Sequence, residues 1–145
     1  MRVLVDTSVW SLALRRRTND LNHRESLLVR ELAELVQEGR AGMIGVIRQE
    51  LLSGINSGAQ FEDLRKTLRA FPDEPLGIED YEAAARGSNT CRAKGIAATI
   101  VDMLICAVAH QGGMSIFTTD PDFENYARCL PVKLHFVRDD AGPRD

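Results

Sequence analysis

Residues 99–110 read Thr-Ile-Val-Asp-Met-Leu-Ile-Cys-Ala-Val-Ala-His, and this stretch decides the fold. It is apolar on nearly every side, which is typical of a helix that is buried around most of its circumference. At a rise of about 1.5 Å per residue, such a helix is too short to cross a bilayer. The stretch therefore predicts a helix inside the core of a globular domain.

One carboxylate, that of Asp102, interrupts this apolar stretch. Its helical neighbours three and four positions away are Ala98, Thr99, Ile105 and Cys106, so it does not lie on a charged, solvated face. An ionised carboxylate that is removed from water is costly unless it is paired or binds a metal. Asp102 is therefore either half of an internal ion pair with an Arg or Lys, or a functional ligand.

Outward from this helix, short aliphatic runs alternate with amphipathic segments. The predicted strands are residues 3–5, 41–45, 75–78, 114–118 and 132–137, of which 75–78 is the weakest. The other predicted helices are residues 8–14, 23–38, 46–55, 61–71, 78–94 and 123–127. Strands that alternate with helices indicate an α/β fold with a mainly parallel sheet and helices on both faces.

The size and composition fit one globular domain. The chain has 145 residues, and we expect residues 1–137 to form the domain and the charged residues 138–145 to be a disordered tail. No apolar run reaches membrane length and no signal peptide is evident, so we expect a cytoplasmic protein that contacts no membrane. The three cysteines are odd in number and widely spaced, which favours free thiols. With a net charge of -3, any contact with a nucleic acid must come from a local patch.

Two acidic residues follow predicted strands directly. Asp6 comes after residues 3–5 and Asp120 comes after residues 114–118, and ligands of open α/β sheets bind beyond the carboxyl ends of the strands. Glu50 and Asp102 lie on helices that could flank that edge. For Glu50 alone, an ordinary contact with Arg48 or with water is the alternative.

A divalent cation would make such a cluster of carboxylates tolerable, because it compensates their mutual repulsion. Oxygen ligands suit Mg²⁺ or Mn²⁺, whereas zinc would require His or Cys residues at ligand spacing, which the sequence lacks.

Four short motifs resemble those of PIN-domain ribonucleases. They are Leu4-Val5-Asp6-Thr7-Ser8-Val9-Trp10, Arg48-Gln49-Glu50-Leu51-Leu52-Ser53-Gly54, Asp102 with the following Ile105-Cys106-Ala107-Val108-Ala109, and Thr118-Thr119-Asp120-Pro121-Asp122-Phe123. The resemblance covers nearly the whole chain, and the length fits the VapC-type toxins of bacterial toxin–antitoxin pairs. Any one of these motifs is weak evidence, but four in this order are specific.

The resemblance implies a three-layer α/β/α sandwich with a mainly parallel five-stranded sheet. It implies that the metal-binding and catalytic acids are Asp6, Glu50, Asp102 and Asp120, with Asp122 as an additional or substitute metal ligand. It also implies that the hydroxyls of Ser8 and Thr118 orient this cluster. A homodimer and a complex with a cognate antitoxin follow from the resemblance alone.

The activity that we expect is metal-dependent endoribonuclease action, in which Mg²⁺ or Mn²⁺ activates a water that attacks a phosphodiester. Glu50 or Asp120 would take the proton of that water. The candidate contacts to RNA phosphates are Arg15, Arg16, Arg17, Arg92 and Lys94.

Two other classes of protein share parts of this pattern. An aspartate-based phosphatase requires a second acid two residues after the first, where this chain has Ser8, and a receiver domain requires a Lys after a late strand, where none follows Ile116-Phe117. A catalytically inactive PIN-like module that binds RNA or protein is the other alternative. The presence of all four acids argues against it.

Trp10 and Leu14 suggest one further surface. With the apolar face of residues 27–36 they would form either part of the core or a groove for an amphipathic segment of a partner.

Overall fold

A short parallel sheet lies at the centre of the computed structural model, which describes residues 1–16 and 18–138. Strand β1 (Val3–Val5) pairs in parallel with β2 (Ala41–Gly42) on one side and with β3 (Ser115–Phe117) on the other. All residues of β1 are fully buried, although successive side chains of a strand point to opposite faces. Both faces of the sheet are therefore covered, as is usual for parallel sheets.

Seven α-helices surround this sheet in the part of the chain that the structure describes. They are α1 (Thr7–Leu14), α2 (His23–Gln37), α3 (Gly45–Leu52), α4 (Gly58–Leu68), α5 (Ile78–Ala93), α6 (Ile100–Gln111) and α7 (Asp122–Cys129), and a 3-10 helix covers Thr18–Asp20. Each predicted helix is present. Helix α3 ends three residues earlier than predicted, with the left-handed Gly54 (φ 84°) close behind its end. Helix α4 begins three residues earlier, because the Ser57 hydroxyl accepts from the amide of Gln60 and caps it.

The prediction of five strands is wrong for the described residues, which contain three. In place of the two missing strands there are isolated parallel bridges, Met43 with Asp73 and Ile116 with Leu134. The first pairing lies just before the predicted strand 75–78, which begins with Pro75, a residue that cannot donate to a ladder. The second is limited to Ile116, which donates to the carbonyl of Lys133 and accepts from the amide of His135. The α/β class with a parallel sheet stands.

Helix α6 is the core helix that the sequence predicts. Every residue from Met103 to Ala109 is buried, and the helix packs along α5 and contacts both β1 and β3. Its first turn emerges from the core, so Asp102 is half-buried, and the Thr99 hydroxyl caps the helix by accepting from the Asp102 amide at 3.0 Å. No helix among residues 1–16 and 18–138 is both long and apolar enough to span a membrane.

Trp10 belongs to the core and not to an open groove. Its side chain is 1% exposed, and its ring lies 4.9 Å from that of Phe71. The part of the groove hypothesis that concerns Trp10 is therefore wrong, because Phe71, just after α4, packs against the indole. Leu14 and Leu27 are half-buried, and Val36 is 36% exposed, so the rest of the hypothesis stays a prediction.

Two of the three free cysteines meet in space. Cys91 on α5 and Cys129 at the end of α7 have their sulfurs 3.2 Å apart, although they are far apart in sequence. Burial raises the pKa of the Cys91 thiol to about 11, so this sulfur is protonated at neutral pH.

A buried glutamate fixes the C-terminal segment. Glu31 on α2 is 2% exposed and binds Nε2 of His135 at 2.6 Å and Nε of Arg138 at 3.1 Å, while Arg138 also binds Glu38 at 2.6 Å. Arg138, which the sequence assigns to a disordered tail, is thus anchored to α2 by buried charge. The rest of that predicted tail, residues 139–145, lies outside the described residues.

Replacing Glu31 by Ala should lower the free energy of unfolding by about 2–3 kcal/mol, because His135 and Arg138 lose hydrogen bonds to a charged group that is shielded from water. The measurement is urea denaturation at neutral pH. Glu34→Ala is the matched control, since Glu34 approaches the same Arg138 at 3.6 Å from an exposed position, and we expect a change within about 0.5 kcal/mol. Equal effects of the two substitutions would contradict the structural role of Glu31.

Candidate active site

The carboxylate of Asp6 lies at the end of the central strand. The Asp6 amide extends the sheet by donating to the carbonyl of Phe117 at 2.8 Å, and its carbonyl begins α1. The side chain is 7% exposed, and its Oδ2 accepts from the hydroxyls of Thr118 (2.8 Å) and Ser8 (3.0 Å). Burial raises the pKa of Asp6 more than these hydrogen bonds lower it, and the charge of Glu50 adds to the rise.

The two hydroxyls that bind Asp6 also hold the loop after β3. Thr118 Oγ1 accepts from the Asp120 amide at 3.0 Å, and Ser8 Oγ accepts from the Thr119 amide at 3.1 Å. Ser8 and Thr118 thus lie between Asp6 and Asp120. Their hydroxyls donate to Asp6 and accept from amides of the loop that carries Asp120. This geometry agrees with the orienting role that the resemblance implies for them.

Three carboxylates converge beyond this loop. Asp102, Asp120 and Asp122 each place one oxygen within 4.8 Å of the other two. Asp120 is itself oriented by the Asp122 amide, which donates to its Oδ1 at 2.9 Å. The ligand oxygens around an octahedral Mg²⁺ lie about 3–4 Å apart, so these side chains need only small rotations to hold one. Both Asp120 and Asp122 face this space, so they do not exclude one another as ligands.

Asp6 and Glu50 lie beside this group of three and not within it. Glu50 on α3 is exposed, and its Oε1 accepts from the hydroxyl of Thr7 at 2.7 Å, which ties it to the corner between β1 and α1. The charge of Asp6 nevertheless acts on the group, because together with Asp120 it raises the pKa of Asp102. The alternative that Glu50 pairs with Arg48 does not hold, since Arg48 binds Asp73 at 2.9 Å instead.

Tyr126 is a site residue that the sequence analysis missed. Its hydroxyl donates to Asp102 Oδ2 at 2.8 Å, and its ring is buried on α7 edge-to-face with Phe123, at 5.1 Å between centroids. Burial and the adjacent Asp102 raise the pKa of Tyr126, so the phenol remains a donor. The available signal was a tyrosine one helical turn after Phe123, on an apolar face where a phenol needs a partner.

The internal ion pair that was the alternative for Asp102 does not hold in this geometry. In the described part of the chain Asp102 receives a phenol, and its pKa is raised, first by burial and then by the charges of Asp6 and Asp120. A neighbouring Arg or Lys would lower that pKa.

The structure describes four of the five predicted phosphate contacts. Arg16 binds Glu25 at 2.8 Å and Arg92 binds Asn89 at 3.2 Å, while Arg15 lines a separate cavity of about 650 Å³ with α4. Lys94 is exposed at the end of α5. Among the described residues, none of these four side chains forms a hydrogen bond or ion pair with the acidic cluster, and Arg17 lies outside the described residues.

Asp102→Asn should leave the metal-free protein as stable as the wild type or more stable. Burial raises the pKa of Asp102 above its ordinary value of 3.8. The stability that protonated Asp102 contributes is therefore complete below pH 3.8 and is lost as the pH rises through the raised pKa. Neutral Asn avoids this loss and still accepts from Tyr126. The measurement is urea denaturation at pH 7 in EDTA, repeated with Mn²⁺, which should stabilise the wild type more than the variant. A large loss of stability would instead indicate a structural ion pair.

Comparison with known proteins places this geometry in a family. Residues 3–128 match the family model of the PIN domain. Among solved structures, the chain is similar to FitAcB from Neisseria gonorrhoeae, with a TM-score of 0.72, 21% identity, and coverage of 92% of this chain and 96% of that one. It is similar to VapBC2 from Rickettsia felis bound to a DNA fragment from their promoter, with a TM-score of 0.73, 14% identity, and coverage of 93% and 98%.

A third similar structure is a toxin-antitoxin complex from Klebsiella pneumoniae, with a TM-score of 0.61, 18% identity, and coverage of 83% and 89%. At these identities the likeness shows the fold alone. No curated protein matches the chain at a significant level. Because the family match extends over most of the sequence and includes all the acids of the site, the chain belongs to the PIN-domain family.

Proposed function

We propose that this protein is a metal-dependent endoribonuclease that acts as the toxin of a toxin–antitoxin pair. The observation that carries the proposal is the convergence of Asp102, Asp120 and Asp122 beside the buried Asp6, at the carboxyl end of β1 and β3. Four carboxylates in such a small space repel one another, and a bound divalent cation would compensate that repulsion.

Asp102, Asp120 and Asp122 are the residues that would hold Mg²⁺ or Mn²⁺, with Asp6 adding negative charge behind them. When bound, such a cation supplies a Lewis acid that lowers the pKa of water and neutralises charge on a phosphodiester. Tyr126 would fix the orientation of Asp102, and Ser8 and Thr118 would fix that of Asp6. Partners of this kind typically change metal affinity or activity 10- to 100-fold.

Glu50 and Asp120 are the two proton acceptors that the chemistry allows. We favour Glu50, because it is exposed, lies outside the group of three and is held by Thr7 through only one hydrogen bond. Asp120 has one oxygen occupied by the Asp122 amide and offers another toward the proposed cation. The phosphodiester would lie between them, where the proton of an attacking water is within reach of a carboxylate.

A cognate antitoxin is the protein partner that we propose, together with a homodimeric state. The antitoxin is supported by the structural neighbours, one of which is described as a toxin-antitoxin complex. The homodimer rests only on the resemblance of the sequence motifs. RNA as the substrate agrees with the cytoplasmic location that the sequence leads us to expect.

The alternatives from the sequence have less support. Ser8 occupies the place where a phosphatase requires its second acid, and its hydroxyl donates to Asp6. A catalytically inactive binding module would not require three carboxylates with oxygens within 4.8 Å of one another.

Purified protein should cleave single-stranded RNA in Mg²⁺ or Mn²⁺ and should lose this activity in EDTA. Hydrolysis by an activated water leaves a 5′-phosphate and a 3′-hydroxyl, whereas attack by the ribose 2′-hydroxyl leaves a 2′,3′-cyclic phosphate. The measurement is digestion of the products by a 5′-phosphate-dependent exonuclease. Cyclic-phosphate ends, or full activity in chelator, would refute the mechanism.

Expression of the wild-type chain in a bacterial host should arrest growth, and Asp102→Asn should restore it by lowering cleavage at least about 100-fold. Tyr126→Phe should lower metal affinity by about 10-fold, because Asp102 loses the donor that orients it. Growth curves and metal titrations of cleavage measure the two effects. Growth arrest by Asp102→Asn equal to that by the wild type would favour a non-catalytic binding role.

A further inference from the structure

A second cleft adjoins the acidic site. It has a volume of about 570 Å³ and lies between the start of α2, the loop after β3 and residues 134–137. Thr118, Thr119 and Asp120 line this cleft and also belong to the acidic site. The volume is in the range of small-molecule sites. The cleft and the acidic site are therefore neighbours on the surface.

Phe136 is the conspicuous residue of this cleft, because its ring is 78% exposed. Several partly exposed apolar residues line the cleft together with it, namely Leu27, Leu134 and Val137. An exposed phenylalanine that borders an apolar cleft offers a flat face without a partner among the described residues. Surfaces of this kind commonly bind a ligand.

The backbone on both sides of Phe136 is firmly held. The amide of His135 donates to the carbonyl of Ile116 at 2.7 Å, and the His135 ring binds the buried Glu31. Two residues after Phe136, Arg138 binds Glu31 and Glu38. The exposed ring is thus presented from a fixed segment, so binding a ligand against it costs little ordering of the chain.

One cation lies on the rim of the cleft. Arg24, at the start of α2, is exposed and forms no ion pair with any described residue. It offers a positive group beside a site whose other charges, Asp120 and Glu124, are negative. A ligand that combines a flat apolar ring with a negative group fits these features, and a nucleotide has both.

We propose that this cleft binds an unpaired base of the RNA, with Phe136 stacking on the base and Arg24 contacting a phosphate. The inference rests on the proposed function and adds to it a subsite for one unpaired base, in the cleft beside the acidic cluster. A base can lie on an aromatic side chain only when it is unstacked from its own helix, so paired RNA would be excluded. Any base can stack on an aromatic ring, so Phe136 would select unpaired RNA over paired RNA and would not select a particular base.

The first test is the affinity for a short, labelled, single-stranded RNA, measured by fluorescence anisotropy in EDTA so that no cleavage occurs. Phe136→Ala should weaken binding by about 5- to 100-fold, and Phe136→Trp should retain it. Tyr81→Ala is the matched control, because Tyr81 is also an exposed aromatic residue (58%) but does not line the cleft. Since Phe136 is exposed, its Ala variant should unfold at the wild-type urea concentration.

The second test separates binding from chemistry. In Mn²⁺, Phe136→Ala should raise KM and leave kcat nearly unchanged, because the ring contacts the substrate away from the reacting phosphate. Arg24→Gln should lower the slope of log affinity against log salt by about 1. A base-paired RNA should bind the wild type and Phe136→Ala with equal, weak affinity.

The outcomes distinguish this inference from the proposed function. If the wild type cleaves RNA in a metal-dependent way but Phe136→Ala binds and cleaves like the wild type, the cleft is not a base site and the proposed function stands. If Phe136→Ala loses a co-expressed protein partner and keeps its RNA affinity, the cleft binds protein and the inference is overturned. If the wild type cleaves no RNA in Mg²⁺ or Mn²⁺, the proposed function fails and this inference fails with it.

Discussion

The buried carboxylate of Asp6 is the constraint on which the rest of the site depends. It lies where the central strand ends, and a charge that is removed from water is tolerated only when it is hydrogen-bonded. The hydroxyls of Ser8 and Thr118 supply those bonds and at the same time accept from the amides of the loop after β3. One set of hydrogen bonds therefore stabilises the buried charge and positions Asp120. This coupling explains why hydroxyl residues, and not aliphatic ones, stand between the two acids.

The core supplies the other half of the site. Helix α6 is buried from Met103 to Ala109, which holds Asp102 at the boundary between the core and the acidic cluster. Tyr126 reaches the same carboxylate from α7, whose first residue is Asp122. Two helices, each anchored in the core by buried side chains, thus deliver three functional groups from fixed positions. Such rigidity is what a binding site for a small, geometrically demanding cation requires.

The distribution of charge separates this protein from nucleic-acid binders that rely on a basic surface. Its net charge is -3 and its site is acidic, so the overall field does not attract a polyanion. A cation held by the acids and isolated basic groups such as Arg24 would have to supply the attraction locally. The buried Glu31 would affect RNA binding indirectly, because it holds His135 and Arg138 on either side of the exposed Phe136.

The helices and the parallel α/β arrangement could be predicted from the sequence, because they depend on local periodicity. Asp6 and Asp120 could be placed at one sheet edge because each directly follows a strand, and the other acids came from the four motifs. The three-strand sheet, the grouping of Asp122 with Asp102 and Asp120, and the position of Asp6 and Glu50 beside them could be seen only in the folded chain. The folded chain also shows that Tyr126 binds Asp102 and that Arg138 is anchored to Glu31. These features depend on distances between side chains far apart along the chain, and hydrogen bonds and ion pairs of that range leave no periodic pattern in the sequence.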